Sequence, residues 1–157
     1  KSEDHFENAY ELTNRLKKCS LYILGKAALH FGDNIKKEQE ILMNIADVII
    51  NIYVLESTLK RCQKIYNKNN NSIVLDISKV SLYENINEIK RSSLEALISF
   101  MDKNNIKKSI SIVDKLTKFD YFNIKECNRN IADYFLKKGS YGLFNNFEWK
   151  GVLLTLD

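Results

Sequence analysis

Apolar residues recur every three or four positions between Lys36 and Arg61. On a helix of about 3.6 residues per turn, this spacing brings them to one face. The inward positions are then Ile41, Leu42, Ile45, Ile49, Ile52, Tyr53 and Leu59. The pattern predicts one long amphipathic helix over about residues 35–66. It also predicts that Ile49→Asp unfolds the protein, whereas Lys64→Asp does not.

The same spacing predicts three more helices. A first helix over about residues 4–31 would bury Leu12, Leu16, Cys19, Ile23 and Ala27. A third helix over about residues 73–103 would bury Ile77, Val80, Ile86, Ile89, Leu97, Ile98 and Met101. A shorter fourth helix over about residues 106–118 would bury Ile110, Val113 and Leu116.

Turn-forming and capping residues set the predicted boundaries. Gly32 is predicted to stop the first helix, because glycine tolerates the left-handed conformation common after a helix end. Asn104 and Asn105 are predicted to break the third helix. The fifth helix would start at Asn123, an N-cap with Glu126 three residues later, as in a capping box. Lys137 and Lys138 precede the glycine at position 139 that would end it.

The absence of proline and the scarcity of glycine decide the fold class. The 157 residues include no Pro and five Gly, three of which lie in the last 19 positions. Nothing earlier offers the turn residues that repeated β-hairpins need. The chain is therefore predicted to be all-α, an up-and-down helical bundle of about four to five helices over residues 1–144. Residues 145–157 are predicted to form an irregular tail.

Charge, cysteine usage and hydropathy exclude several classes of protein. The net charge of +4 falls on residues 102–138, where nine Lys or Arg oppose five acids. This surplus is too small for a nucleic-acid surface, so no nucleic-acid partner is predicted. Cys19, Cys62 and Cys127 form no CxxC motif and indicate buried thiols in a reducing compartment. No apolar run reaches the roughly 20 residues of a membrane span, and the charged start is not a signal peptide.

Few residues in the chain could carry chemistry. His5 and His30 are its two histidines, and neither lies in the ExxH spacing of ferritin-like metal sites. No P-loop or GxGxxG motif is present to hold a phosphate or a dinucleotide. Asp47 and Glu56 lie about two and a half turns apart on one helix, too far to flank one bond. The sequence therefore predicts no catalytic, cofactor-binding or metal-binding residue.

Two sets of charged residues are predicted to have other roles. Structural polar anchors between helices, with carboxylates meeting arginines, are predicted at Asp47, Glu56, Arg61, Arg129 and Asp133. A basic face toward a partner or a lipid surface is predicted at Lys103, Lys107, Lys108, Lys115, Lys118, Lys125 and Arg129. The alternative for the basic face is a surface that only keeps the domain soluble.

Two separated blocks resemble a known family. EQEILMNIAD, at residues 38–47, precedes Tyr53 and the pair Glu56–Ser57. Residues 115–144 carry a Thr-Lys-aromatic segment, an Asn-Ile-Lys start, an R-x-x-IAD-like helix and a terminal Tyr-x-x-Phe. Both blocks, in this order and spacing, resemble the C-terminal helical domain of acyl-CoA dehydrogenases, closest to bacterial members of the very-long-chain type. The resemblance covers about residues 16–144, and residues 145–157 continue beyond the usual end.

The resemblance implies a domain without a catalytic role of its own. In that family FAD, acyl-CoA and the catalytic glutamate belong to the upstream dehydrogenase domain, so no catalytic residue carries over to this chain. The expected partners are a catalytic dehydrogenase domain or a second copy in a homodimer, and also an anionic membrane surface. FAD is expected only in the catalytic domain.

Two alternatives remain open from the residues alone. The chain could be a stand-alone helical scaffold or interaction module without enzyme activity, or a small bundle that binds an acyl chain itself. The expected location is the cytoplasm, including the periphery of a membrane, or the mitochondrion in a eukaryote.

Overall fold

The computed structural model describes residues 2–139 of the chain. It begins with α1 (Ser2–Phe31) and a 3-10 helix (Gly32–Lys37). Four more helices follow, namely α2 (Gln39–Asn69), α3 (Ile73–Phe100), α4 (Lys103–Leu116) and α5 (Ile124–Lys138). No strand occurs in this part of the chain, and the predicted all-α class is confirmed. The predicted tail at 145–157 and the boundary at residue 144 lie outside the described residues.

The first three helices form an up-and-down core. Lys17 Nζ lies 2.8 Å from a Glu56 carboxylate oxygen, and the Tyr10 hydroxyl donates to Gln63 Oε1 at 2.9 Å. As the position on α1 rises, its partner on α2 falls, so the two helices are antiparallel. α2 and α3 make the most extensive helix–helix contact of the bundle.

α4 and α5 follow one another along α3 and together take the place of a fourth long helix. Lys90 on α3 pairs with Asp114 on α4 at 2.6 Å. Farther toward the start of α3, Asp76 Oδ2 accepts from Asn130 at 3.0 Å, and Asn71 donates to the Tyr134 hydroxyl at 2.9 Å. Both short helices are antiparallel to α3, and α4 also contacts α1. The side of the bundle between α1 and α3 is thereby covered.

Apolar side chains from α1 to α4 form the main core. The inward positions predicted for α1 are confirmed, since Leu12, Leu16, Cys19, Ile23 and Ala27 are all buried. On α3 the buried apolar positions include Ile86, Ile89 and Leu97, and on α4 Val113 is fully buried. A second cluster around Phe6, Cys62 and Val74 packs against residues of α5.

The inward face predicted for α2 is wrong at two positions. Ile49 is 49% exposed and Tyr53 is 71% exposed, whereas Val48 and Leu55 are fully buried. α2 carries apolar residues around most of its circumference, so spacing alone does not distinguish the face that packs. We therefore expect Val48→Asp, and not Ile49→Asp, to unfold the protein.

The predicted end of α3 and start of α4 are also wrong. α3 ends at Phe100, and Asp102 begins α4 by accepting from the backbone amides of Asn104 and Asn105 at 2.8 and 2.9 Å. The two asparagines thus lie in the first turn of α4 instead of breaking α3. Ile98, predicted as core, is 59% exposed because it falls on the outer face of α3.

The predicted caps of α5 are confirmed. Asn123 is the N-cap and its side chain accepts from the backbone amide of Glu126 at 3.2 Å. Gly139 ends the helix with a φ of +62°, a conformation that a residue without Cβ adopts at little cost. Gly32 likewise ends α1 with a φ of +52°, but a 3-10 helix follows and delays α2 to Gln39.

Candidate functional site

A cavity of about 420 Å³ lies between the first half of α1, α3 and the extended segment before α5. Its apolar wall is formed by Ala9, Leu12, Leu82, Phe119 and Phe122. Four basic residues also line it, namely His5, Arg15, Lys79 and Lys118, together with the acids Glu11 and Asp120.

Two of the basic groups of this cavity bind other parts of the fold. Arg15 donates to the backbone carbonyl of Lys118 at 2.8 Å, which ties α1 to the segment after α4. Lys79 lies 3.4 Å from Asp76 on the same helix. With two acids at the same opening, the cavity has no strong positive charge with which to select an anionic ligand.

His5 and Ser78 form a pair that the sequence does not predict. His5 Nε2 lies 2.7 Å from Ser78 Oγ, although the two residues are 73 positions apart. Such a distance suits a nucleophile and its general base. However, Ser78 is fully buried, and its hydroxyl already donates to the Leu75 carbonyl at 2.8 Å. With its proton donated to that carbonyl, the hydroxyl accepts from a protonated Nε2 of His5, and the pair joins α1 to α3.

The environment of His5 disfavours its charged form. Burial lowers the pKa of His5 below its usual value, and the positive charge of Lys79 lowers it further against an opposing effect of Asp76. A neutral imidazole is consistent with a structural hydrogen bond at this position.

Neither the cysteines nor the acids of the described residues assemble a metal site. Cys19, Cys62 and Cys127 are buried and free. Burial raises the pKa of Cys62 to about 11, and it also raises the pKa of Cys19 and of Cys127. Between residues 2 and 139, no group of three or more His, Cys, Asp or Glu side chains is placed to hold a metal ion.

Of the predicted polar anchors, Glu56 connects two helices. Its carboxylate binds Lys17 on α1 at 2.8 Å and Lys60 on α2 at 2.9 Å, and these bonds hold its pKa below the usual range. The partners are thus lysines and not the arginines that we expected. Arg15 contacts the Lys118 carbonyl instead, and Arg91 pairs with Glu88 and Glu95 on its own helix.

The other predicted anchors do not form a buried network with Glu56. Asp47 is half-buried, and its backbone carbonyl accepts from Asn51 at 2.8 Å. Arg61 is exposed at the rim of an apolar groove between α2 and α3, and Arg129 and Asp133 are exposed on α5. A role for these residues as structural anchors stays a prediction.

The predicted basic face is exposed but extended. Lys103, Lys107, Lys108 and Lys115 lie on α4, Lys118 follows it, and Lys125 and Arg129 lie on α5. The pairs that tie both helices to α3 put Lys103 near the end of α3 and Arg129 near Asp76. At 1.5 Å per residue these levels are roughly 35 Å apart. The seven charges therefore act as a row and not as one concentrated patch.

An exposed apolar surface on α1 and α2 was not predicted from the sequence. Leu21, Leu24, Met43, Ile49, Ile50 and Tyr53 are each between 37% and 71% exposed on α1 and α2. By length and composition α2 also qualifies as a membrane-crossing helix, although the core helix of a soluble bundle can pass the same test. The signal in the sequence was the apolar run Val48–Ile49–Ile50, which is too wide for one inward stripe.

The observed geometry supports packing and binding more than chemistry. Within the described residues, no exposed nucleophile lies beside a free base, and the polar pairs connect neighbouring helices. A small helical domain with an exposed apolar surface is typical of a part of a larger assembly.

Three comparisons with known proteins agree on one protein family. A family model described as "Acyl-CoA dehydrogenase, C-terminal domain" matches residues 15–115. A probable acyl-CoA dehydrogenase of Bacillus subtilis (strain 168) is 29% identical over 124 residues, which are 77% of this chain and 21% of that protein. The crystal structure of an acyl-CoA dehydrogenase complexed with FAD from Bacillus anthracis is 32% identical, with a TM-score of 0.78. The match covers 83% of this chain but only 23% of the chain in that crystal structure.

These matches confirm the resemblance seen in the two sequence blocks, without specifying the very-long-chain type. They also show that this chain corresponds to less than a quarter of either relative. The chain belongs to the family of acyl-CoA dehydrogenase C-terminal domains.

Proposed function

We propose that this chain serves as the non-catalytic C-terminal helical domain of an acyl-CoA dehydrogenase-like flavoprotein. The parent protein would carry out α,β-dehydrogenation of fatty acyl-CoA. The observation that carries the proposal is the match of most of this chain to 23% of an FAD-containing dehydrogenase. The described residues assemble no acid–base pair that could perform the reaction themselves, which is consistent with this division of roles.

FAD would bind in the catalytic portion of the parent protein and not in this chain. Dinucleotide sites present backbone amides of a glycine-rich turn to the phosphates. The chain has no such motif.

The domain would organise the parent protein by packing on its catalytic portion, by supporting a homodimer or by approaching a membrane. A very-long-chain substrate range is part of the same proposal, because the resemblance is closest to that type. We expect the protein in the cytoplasm or at the periphery of a membrane, or in the mitochondrion of a eukaryotic source.

The basic row on α4 and α5 would support contact with an anionic lipid or with an acidic protein surface. Its four lysines on α4 are exposed on one short helix, so this helix is the candidate contact. Each such charge contributes about 1 kcal/mol near an anionic membrane, and salt weakens the attraction.

The native protein, purified from its source, tests the proposal. We expect a polypeptide several times longer than this chain, with flavin absorbance that fatty acyl-CoA bleaches. The 157-residue chain purified alone should be colourless and inactive with acyl-CoA and an electron acceptor. A native polypeptide of this length without flavin would favour the stand-alone scaffold, and a yellow, active 157-residue chain would refute the non-catalytic role.

A further inference from the structure

We propose that one surface of α1 and α2 is the docking site for the catalytic portion of the same dehydrogenase. This surface, named the apolar face, consists of Leu21 and Leu24 on α1 and of Met43, Ile49, Ile50 and Tyr53 on α2. The inference rests on the proposed function and adds to it the side chains that make the contact.

The register of the two helices places the six side chains at neighbouring positions. The antiparallel register of α1 and α2 follows from the pairs Lys17–Glu56 and Tyr10–Gln63. In each pair the two residue numbers sum to 73. Leu21 therefore lies level with Tyr53, and Leu24 lies level with Ile49, each within about one helical turn. Met43, Ile50 and Tyr53 follow at spacings of seven and three residues, which keeps them on the same side of α2.

Among residues 2–139, no helix covers the apolar face. α4 packs on α1 and α3, and α5 packs on α3, so the fourth layer lies on the other side of the bundle. Met43 is 66% exposed, Ile50 56% and Leu21 69%, although α2 is the helix whose other positions build the core. Soluble monomers rarely expose contiguous apolar surface of this kind without a function.

The charges around the apolar face favour a protein partner over an anionic membrane. Lys17 and Lys60 are both bound to Glu56 at one end of the face. The net positive charge of the chain lies on residues 102–138, and the exposed Lys36 and Lys37 before α2 alternate with the acids Asp33 and Glu40, so both signs of charge flank the face. An interfacial membrane helix usually flanks its apolar side with Lys and Arg. A protein interface, in contrast, is depleted of charge at its apolar centre.

The size of the relatives points to the protein partner. This chain spans 21% and 23% of two dehydrogenases, so each of those polypeptides carries a much larger portion beside the matching domain. A covalently joined portion is present at high effective concentration, which favours it over a second copy as the occupant. Its complementary surface should be apolar and low in charge.

Hydroxyl-radical footprinting tests this contact, because exposed Met and Tyr side chains react readily. The 157-residue chain is compared with the intact native polypeptide. We expect labelling of Met43 and Tyr53 to fall roughly fivefold or more in the intact protein, since residues at the centre of an interface lose nearly all exposure. Tyr121, which is 92% exposed and lies outside the apolar face, should stay labelled in both samples.

A pair of variants separates docking from folding. Leu21→Lys with Tyr53→Lys should restore the labelling of Met43 in the intact protein to the level of the isolated chain. The matched control is Leu136→Lys on α5, at a position that is 79% exposed and outside the apolar face. It should leave Met43 protected. Both variants should keep the melting temperature of the isolated chain, because the substituted side chains are already mostly exposed.

The other outcomes each overturn the inference. Equal labelling of Met43 in the isolated chain and in a flavin-containing intact protein would show that the catalytic portion does not contact the face. Protection that rises with the concentration of the isolated chain would identify a second copy. Protection only with phosphatidylserine vesicles would identify a membrane. A native polypeptide without a flavin portion would instead refute the proposed function, a failure that intact mass and absorbance detect independently.

Discussion

Two adjacent residues of α2 provide the sharpest test of the packing, because Val48 is fully buried and Ile49 is 49% exposed. Among the described residues no Lys, Arg or His is buried in the core that would surround an aspartate at position 48. At pH 7 the least costly way to bury this carboxyl is in its protonated form. Burial in that form requires a pKa about three units above the usual value for aspartate. At about 1.36 kcal/mol per unit, this costs about 4 kcal/mol before any loss of packing.

That cost is a large part of the stability of a domain, which is on the order of 5–15 kcal/mol. Val48→Asp should therefore melt far below the parent protein or fail to fold. Ile49→Asp loses only about half of the burial of one side chain, or about 1 kcal/mol. For a domain of this size, this corresponds to a decrease of about 2–4 °C in melting temperature. Lys64→Asp, at an exposed position, should have little effect.

The assay is thermal unfolding followed by circular dichroism, with Val48→Ala as a control that removes methyl groups without adding charge. The Val48→Asp penalty should also shrink as the pH falls toward about 4, because a carboxyl with a raised folded-state pKa then no longer has to take up a proton on folding. Equal melting temperatures for Val48→Asp and Ile49→Asp, or a larger effect of the latter, would refute the assigned inward face.

Three further outcomes are expected. Because burial lowers the pKa of His5, the stability of the protein should fall as the pH decreases below about 6.5. In His5→Gln the urea midpoint should depend less steeply on pH, and an unchanged pH dependence would contradict this prediction. The raised pKa of Cys62, about 11, predicts slow alkylation by iodoacetamide until denaturant is added, and rapid labelling of the native protein would show that the thiol is accessible. Replacing Lys107, Lys108 and Lys115 by Glu should abolish the binding of the chain to anionic vesicles at low salt. If this variant binds as well as the parent chain, or if the parent chain does not bind, the basic row is only a solvent-exposed surface.

The fold could be predicted from the sequence wherever a local feature decided it. The lack of Pro, the two capping signals of α5 and the spacing of Leu12, Leu16 and Ile23 each act within one or two helical turns. Helix type, the caps and the inward side of α1 were predicted correctly for this reason. The capping role of Asp102 was also local, but two asparagines beside it resembled a helix break.

The candidate site depended on contacts between distant parts of the chain. His5 meets Ser78, and Glu56 meets Lys17, only after three helices pack, so no spacing in the sequence signals either pair. The choice between Val48 and Ile49 as the buried residue was of the same kind. Both have apolar β-branched side chains that fit a helix face equally well, and only the positions of α1 and α3 select one of them.

By itself, the sequence determined that this protein is a helical bundle with the two ordered blocks of an acyl-CoA dehydrogenase C-terminal domain. Those features reside in periodicity, capping and residue order, which are properties of the chain before it folds. The tertiary structure alone decided which sides of the helices remain uncovered. α4 and α5 pack on the side of α3 and leave the apolar residues of α2 exposed, because burial is a property of the assembled helices and not of any one of them.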